Sequence, residues 1–315
     1  MSRFTRNVPF PVQKMQQLYR LVRESHTNPL TGQQHKPLLV TADELGLTFI
    51  GHSSFLIQVA GKNLLIDPVF ATRLILLRRQ RRPGVLVADL PPIDAVLLTH
   101  AHMDHLNLPS LRRVIRHTRR LAGRSPIAVV PKGVEDLVNS LGFTDVISLD
   151  WWQSTSLAGH SALEITMTPS KHWGARMFKD THRGFGGYVM AGAGHRVYHS
   201  GDTAYFNGFR EIGRRLRPQI ALLPIGAYFP DSYRAVHTSP EEAWRAFLDL
   251  GTAELMIPMH YGTFRLGREP MEEPLPRLIA AARHAGAADR IRPLAEGETR
   301  VLYLLGGPSP QSSQP

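Results

Sequence analysis

Four side chains that can bind a metal ion lie within six residues of this sequence, in the stretch HAHMDH at positions 100–105. Imidazole nitrogen and carboxylate oxygen are ligands for divalent ions of the zinc type. His100 and His102 are two residues apart, and in an extended segment their side chains point the same way and can hold one ion. Asp104 and His105 come after a turn and can face a second ion, so this stretch predicts a metal site.

Two ions need more ligands than one loop supplies, and three later residues are candidates. Each follows an apolar run typical of a strand: His172 in TPSKHWG, Asp202 in VYHSGDTAY and His260 in LMIPMHYG. The Asp202 carboxylate could bridge the ions. Two ions about 3.5–4 Å apart activate a water molecule and stabilise the attacking and leaving oxygens of a displacement. We therefore predict two divalent ions, with zinc favoured, although manganese, iron and nickel also suit these ligands.

Other residues carry weaker signals. His237 lies two residues before Ser239, which is placed to cap a helix, and a helix N-terminus favours anions. His237 could therefore contact a substrate phosphate or protonate a leaving alkoxide; the alternative is an ordinary loop histidine. His52 is interpreted as structural, with the edge of the site as the alternative. Trp173 and Tyr228 are expected to form walls of a substrate pocket.

The elements that position these residues are strands that first form hairpins and later alternate with helices. Apolar runs and turn residues predict strands over 47–59, 63–69, 94–100, 127–131, 145–149, 162–169, 185–202 (a hairpin), 219–226 and 253–260. Helices are predicted over 11–24, 108–120, 134–142, 207–216, 239–251 and 276–286. Two β-rich sheets covered by helices are the simplest arrangement, with Trp151 and Trp152 in the core.

Length and composition suit one large domain. The chain has 315 residues, 43% of them hydrophobic, and no cysteine, which excludes disulfides and thiolate-held zinc. No apolar run approaches the roughly 20 residues of a membrane span, and the N-terminus lacks a signal-peptide core, so we expect a cytoplasmic protein. We predict an N-terminal extension at 1–46 that packs on or flanks the domain, a catalytic domain at 47–305 and a disordered tail at 306–315.

The charge is unbalanced, with 37 Lys and Arg against 26 Asp and Glu and a net charge of +11. Arginines cluster at two places: Arg73, Arg78, Arg79, Arg81 and Arg82, and Arg112, Arg113, Arg116, Arg119 and Arg120. Such clusters suit an anionic partner, namely phospholipid, nucleic acid or a phosphorylated metabolite. The alternative is a solvated arginine-rich surface.

The stretch HAHMDH resembles the H-x-H-x-D-H signature of the metallo-β-lactamase superfamily, and the later His, Asp and His follow in that superfamily's order. The resemblance covers residues 47–304 and implies an α/β fold, a four-layer αββα sandwich with the metals at one edge between the sheets. It implies that Asp67 orients the histidine loop. It also implies one ion held by His100, His102 and His172, another held by Asp104, His105 and His260, and a bridge formed by Asp202.

Further blocks narrow the resemblance. GHSSFLI, LLIDPVF, LPPIDAVLLTH, PSKHWGAR, SGDTAYF, LLPIGAYFP, HTSPEEAWRAF and MHYGTF are similar to the branch that contains N-acylphosphatidylethanolamine-hydrolysing phospholipase D and its bacterial relatives. That branch implies a phosphodiesterase in which a hydroxide held on the two metals attacks phosphorus, with Asp104 and His237 as catalytic residues. Ala101 and Met103 depart from the branch's usual H-N-H-Y-D-H cluster, at positions that bind no metal.

Other functions stay open. The same metals could hydrolyse a carbon ester, a lactone or a β-lactam. The positive charge would suit a nuclease of the RNase Z type, although no inserted arm is visible, and a non-catalytic binding protein would be expected to lose ligands. We expect an anionic phosphodiester such as a phospholipid as substrate, peripheral contact with an anionic membrane on its inner face, and no nucleic-acid partner. The oligomeric state, including a homodimer, stays open.

Overall fold

The structure, a computed structural model, describes residues 10–158, 162–176 and 180–302, with side chains from residue 19 onward. The helices are Phe10–Thr27 (α1), Leu108–Ala122 (α2), Gly208–Leu216 (α3), Pro240–Leu250 (α4) and Pro274–His284 (α5). The strands are Leu45–Gly51 (β1), Ser54–Val59 (β2), Lys62–Ile66 (β3), Arg73–Leu74 (β4), Leu77–Arg78 (β5), Ala95–Leu97 (β6), Ile127–Pro131 (β7), Val146–Leu149 (β8), Ser154–Leu157 (β9), Leu163–Thr168 (β10), Gly187–Gly192 (β11), His195–His199 (β12), Ile220–Pro224 (β13), Leu255–Met259 (β14) and Thr299–Leu302 (β15).

Two sheets face each other across the core. The first has the strand order β15-β1-β2-β3-β6-β7-β8, and the second has the order β14-β13-β12-β11-β10-β9. Part of each sheet is parallel: β3, β6, β7 and β8 in the first, and β12, β13 and β14 in the second. Parallel neighbours present their carboxyl ends at one edge of a sheet, where ligand-binding loops of α/β proteins gather.

Three hydrophobic layers hold these elements together. The central layer joins inward-facing residues of both sheets, such as Phe55 and Ile57 of β2 and Met190 of β11. A second layer lies between the first sheet and α2, where Leu111 is buried, and a third lies between the second sheet and α3, α4 and α5, where Phe247 is buried. The predicted α/β fold, a four-layer αββα sandwich, is confirmed.

Local sequence sets the ends of the helices that flank the polar loops. Asn107 caps α2, because its side chain accepts a hydrogen bond from the backbone N–H of Ser110 at 3.1 Å. Helix α2 therefore starts directly after the HAHMDH stretch and fixes its end. Ser239 and Glu242 form the predicted capping box of α4, and Gly251 ends that helix in the left-handed conformation.

Four local predictions were wrong. Residues 47–59 form two strands, because the chain reverses at His52, whose φ is 62°. Residues 134–142 form two 3₁₀ turns, since their β-branched and short polar residues favour non-helical backbone. Trp151 is exposed, with its ring against Phe185. Arg79 is fully buried, because its guanidinium donates to the carbonyls of Arg81 and Val69 at 2.6 and 2.8 Å.

The segment before β1 lies against the sheets. Thr31 donates its N–H to the carbonyl of Gln80 at 3.0 Å, and the side chain of Gln58 donates to the carbonyl of Leu38 at 2.7 Å. The division between an extension at 1–46 and a domain at 47–305 stays a prediction, and the predicted tail at 306–315 lies outside the described residues. Within the described ranges, no helix has both the length and the apolar character that crossing a bilayer requires.

Candidate metal centre

Loops at the carboxyl ends of strands bring all seven predicted ligands together. Residues 100–105 follow β6, and His172, Asp202 and His260 follow β10, β12 and β14. The loop at 100–105 is held from outside by Arg176, whose Nη1 donates to the carbonyls of Ala101 and Leu106, both at 2.9 Å. The centre therefore draws donors from both sheets.

The first group of donors contains three histidines. His102 Nδ1 lies 2.8 Å from His100 Nε2 and 3.2 Å from His172 Nε2. The His172 ring is oriented by its Nδ1, which donates to the carbonyl of Val236 at 2.8 Å. Three imidazole nitrogens thus converge on one point, as the ligands of a single ion must.

The second group contains Asp104, His105 and His260. Asp104 Oδ2 lies 3.8 Å from His105 Nε2 and 3.7 Å from His260 Nε2. Asp202 lies between the two groups, because its Oδ1 is 3.3 Å from His105 Nε2 and its Oδ2 is 3.0 Å from His260 Nε2 and 4.0 Å from His172 Nε2. His52 also lies within ligand distance of Asp104, His105 and His260, and Asp202 lies within ligand distance of both groups. The assignment of ligands to each ion, with Asp202 as the bridge, stays a prediction.

These donors fit divalent ions. His105 Nε2, His260 Nε2 and Asp202 Oδ1 are buried and make no hydrogen bond within the described part of the chain. A buried polar atom without a partner is costly, and coordination to a metal ion would satisfy all three. Because the set contains only imidazoles and carboxylates, it suits zinc and also manganese, iron or nickel.

The electrostatics of the first group and of Asp202 favour the forms that bind metals. Burial lowers the pKa of His100 and His172 well below the usual value, so both imidazoles are neutral and keep a lone pair for an ion. Burial alone would raise the pKa of Asp202, but the charges of His105 and His260 outweigh it and hold that pKa well below its usual range. Asp202 is therefore a carboxylate.

Asp67 orients histidines of both groups. Its Oδ2 accepts hydrogen bonds from His105 Nδ1 at 2.7 Å and from the Thr99 hydroxyl at 2.6 Å, and its Oδ1 accepts the Thr99 N–H at 2.8 Å. The Thr99 oxygen lies 2.9 Å from His100 Nδ1 and accepts from it. This chain of hydrogen bonds turns the Nε2 atoms of His100 and His105 towards the centre, as outer carboxylates do around metals.

His52 lies at the donors, which is the alternative that the sequence left open beside a purely structural role. This histidine is buried, its Nε2 lies 3.1 Å from Asp104 Oδ2, and its carbonyl accepts the His260 N–H at 2.9 Å. Burial lowers the pKa of His52 to about 3, so the ring is neutral and its Nε2–H donates to Asp104. A lone histidine has no ligand spacing to reveal it; only the chain reversal between β1 and β2 could have done so.

The backbone of the centre is strained. Asp67, His52 and His260 have φ values of 43°, 62° and 58°, in the left-handed region that non-glycine residues rarely adopt. Each such residue costs about 1–3 kcal/mol and persists where its surroundings fix it, most often at functional sites. The strain therefore supports a functional role for this edge of the sheets.

His237 lies beside the donors. Its Nδ1 is buried, makes no hydrogen bond among the described residues and lies 3.8 Å from Asp202 Oδ2. Its ring stacks on His260, with centroids 5.3 Å apart. Burial lowers the pKa of His237 to about 4, so the ring is neutral near pH 7. His237 can face a substrate, or it can complete a donor set with Asp202 and His260.

The two predicted pocket walls differ. Trp173 is 45% exposed, and its ring meets that of His102 edge-on, with centroids 4.4 Å apart. Tyr228 is buried, its hydroxyl donates to Glu273 at 2.7 Å, and Arg277 lies over its ring. Trp173 is therefore the predicted wall residue that borders the donors directly.

Known proteins share this sequence pattern and fold. A model described as a beta-lactamase superfamily domain matches residues 62–261. An uncharacterized protein of Mycobacterium tuberculosis is 35% identical over 76% of this chain, which spans 65% of that protein's length. N-acyl-phosphatidylethanolamine-hydrolyzing phospholipase D 1 of Caenorhabditis elegans is 30% identical over 72% of this chain and 68% of its own length.

A solved structure agrees with these matches. Igni18, described as a novel metallo hydrolase of the archaeon Ignicoccus hospitalis, aligns with a TM-score of 0.65 and 26% identity, over 82% of this chain and 99% of its own. The family model covers more than half of the chain, and its span contains every one of the seven clustered donors. The chain therefore belongs to the β-lactamase superfamily and has the metallo-β-lactamase fold.

Proposed function

We propose that this protein is a phosphodiesterase of the phospholipase D kind, which hydrolyses phospholipids related to N-acylphosphatidylethanolamine with two divalent ions, zinc being favoured. The observation that carries the proposal is the position of Asp202, whose two oxygens reach donors of both groups. The unpartnered Nδ1 of His237 beside it supports a substrate with oxygens to receive a hydrogen bond. Similarity to the Caenorhabditis elegans phospholipase D supports the substrate class.

The residues of the centre have distinct roles in this proposal. Two divalent ions would lower the pKa of a water molecule and neutralise charge on a phosphate. Asp104, held by His52, orients the attacking water. His237, neutral near pH 7, donates a hydrogen bond to a phosphate oxygen. One water is consumed, the bond between phosphorus and the headgroup oxygen breaks, and phosphatidic acid and an N-acylethanolamine leave.

A phosphodiester suits this centre better than a carbon ester. Its tetrahedral phosphorus carries two non-bridging oxygens that share a negative charge, whereas an ester develops one oxyanion only in the transition state. The start of α4, three residues after His237, adds the positive end of a helix dipole. The net charge of +11 also favours an anionic substrate. The proposal includes peripheral contact with an anionic membrane from the cytoplasmic side and no nucleic-acid substrate.

A substrate panel tests the proposal. Purified protein with measured metal content is offered N-acylphosphatidylethanolamine in mixed micelles, bis-p-nitrophenyl phosphate, a lactone and a β-lactam. We expect hydrolysis of both phosphodiesters, with product analysis giving phosphatidic acid from the lipid. Faster hydrolysis of the lactone or the β-lactam than of either phosphodiester would replace the proposal with carbon-ester chemistry at the same centre.

Asp202→Ala is the matching variant. Because Asp202 reaches donors of both groups, the change is expected to lower the metal content from about two ions per chain to one or fewer and to abolish phosphodiester hydrolysis. Elemental analysis measures the first effect independently of activity. Asp289→Ala, at an exposed acidic position after α5, is the control and is expected to change neither quantity. Full activity of Asp202→Ala would contradict the bridging assignment.

A further inference from the structure

A two-stranded ribbon projects an apolar tip next to the metal centre. Strands β4 and β5 pair with Arg73 opposite Arg78 and Leu74 opposite Leu77, which leaves Ile75 and Leu76 as a two-residue loop. Ile75 is 72% exposed and Leu76 is 55% exposed. Large apolar side chains adjacent to each other on a protruding tip mark an interaction surface more often than isolated ones do.

The backbone conformation of Ile75 is also unfavourable. Ile75 has a φ of 52°, and two-residue hairpin loops with positive φ at this position usually contain glycine. A β-branched residue is a conformational outlier there. Ile75 thus combines backbone strain with exposure of its side chain to water, and folding alone gives no reason for either.

The base of the ribbon is firmly held. Leu74 packs with Val69 and Phe264 in a small buried cluster, and the Phe264 ring meets that of His52 at 5.3 Å between centroids. On the other side, the Arg78 N–H donates to the Ser25 hydroxyl of α1 at 3.1 Å. The ribbon is therefore a fixed projection whose base contacts the metal centre.

The charges beside the tip lack partners. Arg73 and Arg78 lie directly opposite each other, an arrangement that destabilises a ribbon by repulsion. Glu24, the neighbour of Ser25, is paired with Arg265, and Glu296 is paired with Arg81. No ion pair of Arg73 or Arg78 exists within the residues that the structure describes. An external anionic surface would relieve the repulsion.

We infer that the β4–β5 ribbon inserts Ile75 and Leu76 into an anionic lipid bilayer, with Arg73 and Arg78 at the level of the lipid phosphates. A bilayer offers acyl chains to the tip and phosphates to the arginines at adjacent depths. A second copy of this chain, tip against tip, would instead bring arginines together. The inference rests on the proposed function, since a phosphodiester in a bilayer must be reached at headgroup level.

The cysteine-free sequence allows a direct test of insertion. Leu76→Cys in the full-length protein is labelled with an environment-sensitive NBD dye and mixed with vesicles of phosphatidylcholine and phosphatidylglycerol. We expect the emission to rise, shift to shorter wavelength and be quenched by spin-labelled acyl chains. Leu121→Cys, at an exposed leucine of α2, is the matched control and should show none of these changes. An unchanged signal at Leu76, or equal signals at both sites, overturns the inference.

Vesicle partitioning supplies a second measurement. Ile75→Ser combined with Leu76→Ser is expected to weaken partitioning by about 10–100-fold, because two apolar side chains no longer leave water. Leu121→Ser combined with Leu248→Ser alters two other exposed leucines and should leave partitioning unchanged.

The arginines are tested separately. Arg73→Gln combined with Arg78→Gln should weaken vesicle binding at low salt and make that binding less dependent on salt. The inference is overturned if the tip variant and the unaltered protein partition equally. It is also overturned if the unaltered protein forms a dimer in solution that the tip variant loses, because the tip would then bind a second copy of the chain.

The same samples separate this inference from the proposed function. Hydrolysis of soluble bis-p-nitrophenyl phosphate needs no membrane, so the tip variant should retain it while hydrolysing vesicle lipid more slowly. Tip-dependent partitioning without any phosphodiester hydrolysis would support the bilayer contact and refute the proposed function. Hydrolysis of the soluble phosphodiester together with partitioning that does not depend on the tip would support the proposed function and refute the bilayer contact.

Discussion

The histidines of the centre depend on single hydrogen bonds for their direction. Asp67 turns His105 and, through Thr99, His100, while the Val236 carbonyl turns His172. Each bond occupies Nδ1 and leaves Nε2 free to face the other donors. A metal site built this way is sensitive to residues that touch no ion, because a rotated ring moves its donor atom out of reach.

His52 also orients a metal ligand, because its Nε2 lies 3.1 Å from the Asp104 carboxylate and donates a hydrogen bond to it. His52→Leu removes this donor and is expected to weaken metal binding by about 10–100-fold. His52→Gln keeps an N–H donor on a side chain of similar reach and is expected to recover part of the affinity. Metal titration and the absorption spectrum of the cobalt-substituted protein measure both variants. Equal affinities for both variants and the unaltered protein would show that the contact does not position Asp104.

His237 separates a substrate contact from a metal ligand. If it donates a hydrogen bond to the substrate, His237→Ala should keep both metals and lose about 10²–10³-fold in rate on a lipid phosphodiester. A p-nitrophenolate leaving group needs no protonation, so loss on bis-p-nitrophenyl phosphate should be much smaller if His237 acts on the leaving oxygen. Loss of a metal ion in this variant would instead make His237 a ligand with Asp202 and His260.

Residue spacing explains which of these positions the sequence could predict. The ligands in the stretch at 100–105 were predictable, because four potential donors within six residues form a pattern typical of metal sites. His172, Asp202 and His260 followed from their places after apolar strands. His52 carries no such pattern, since its proximity to Asp104 arises from a strand reversal and from the contact of its carbonyl with His260.

At the scale of elements, Gly201 fits the loop after β12 into a narrow space. A Cβ on Gly201 would lie 2.5 Å from the Gly186 carbonyl and 2.9 Å from the Thr99 side chain, and its φ is 61°. Gly201→Ala is therefore expected to displace both the neighbouring Asp202 and Thr99. It should lower the free energy of unfolding by about 2–4 kcal/mol, a left-handed penalty plus overpacking, and reduce metal content.

Gly251, at the end of α4, is the matched control for that variant. Its φ is 68°, but a Cβ there would meet no atom within 4 Å. Gly251→Ala should thus cost only about 1–2 kcal/mol, the left-handed penalty alone, and leave the metal content unchanged. Denaturant unfolding of the metal-free proteins and elemental analysis distinguish the two. Equal losses in both variants would mean that crowding at Gly201 is relieved without moving Asp202.

Elements with local signals were predicted well, and elements set by distant contacts were not. Helix α4 starts and ends as expected because Ser239, Glu242 and Gly251 act within one turn of its ends. Strands β9 and β15 have weak patterns of their own and form through pairing with β10 and β1. Residues 134–142 have helical periodicity but too few helix-favouring residues to resist the short turns that connect β7 and β8.

At the scale of the whole molecule, the centre exists only when both sheets pack together. Residues 100–105 leave the first sheet, and His172, Asp202 and His260 leave the second. The central hydrophobic layer between the sheets therefore sets the distances between donor groups. Ions that bind both groups would in turn hold the two sheets together, so metal binding and folding are linked.

This linkage predicts how metal stabilisation changes with pH. Burial alone would lower the pKa of His260, but the carboxylates of Asp202 and Asp104 outweigh it and raise that pKa to about 9. Below that pH the metal-free protein holds a proton on His260 that an ion must displace. Metal affinity should therefore rise with pH up to about 9, by roughly tenfold per pH unit for each displaced proton. His237 has a pKa of about 4, so it is already deprotonated in this range and does not contribute to the pH dependence of metal affinity.

Thermal unfolding with and without added zinc, from about pH 6 to about pH 8, measures the effect. The midpoint difference between loaded and metal-free protein should increase across this range, because tighter binding to the folded state adds about 1.4 kcal/mol for each tenfold gain in affinity. Asp289→Ala serves as the control, since Asp289 is exposed and lies outside the donor groups, and it should leave the dependence unchanged. A midpoint difference that stays constant with pH, or shrinks as pH rises, would mean that no proton is displaced and that His260 does not bind the ion.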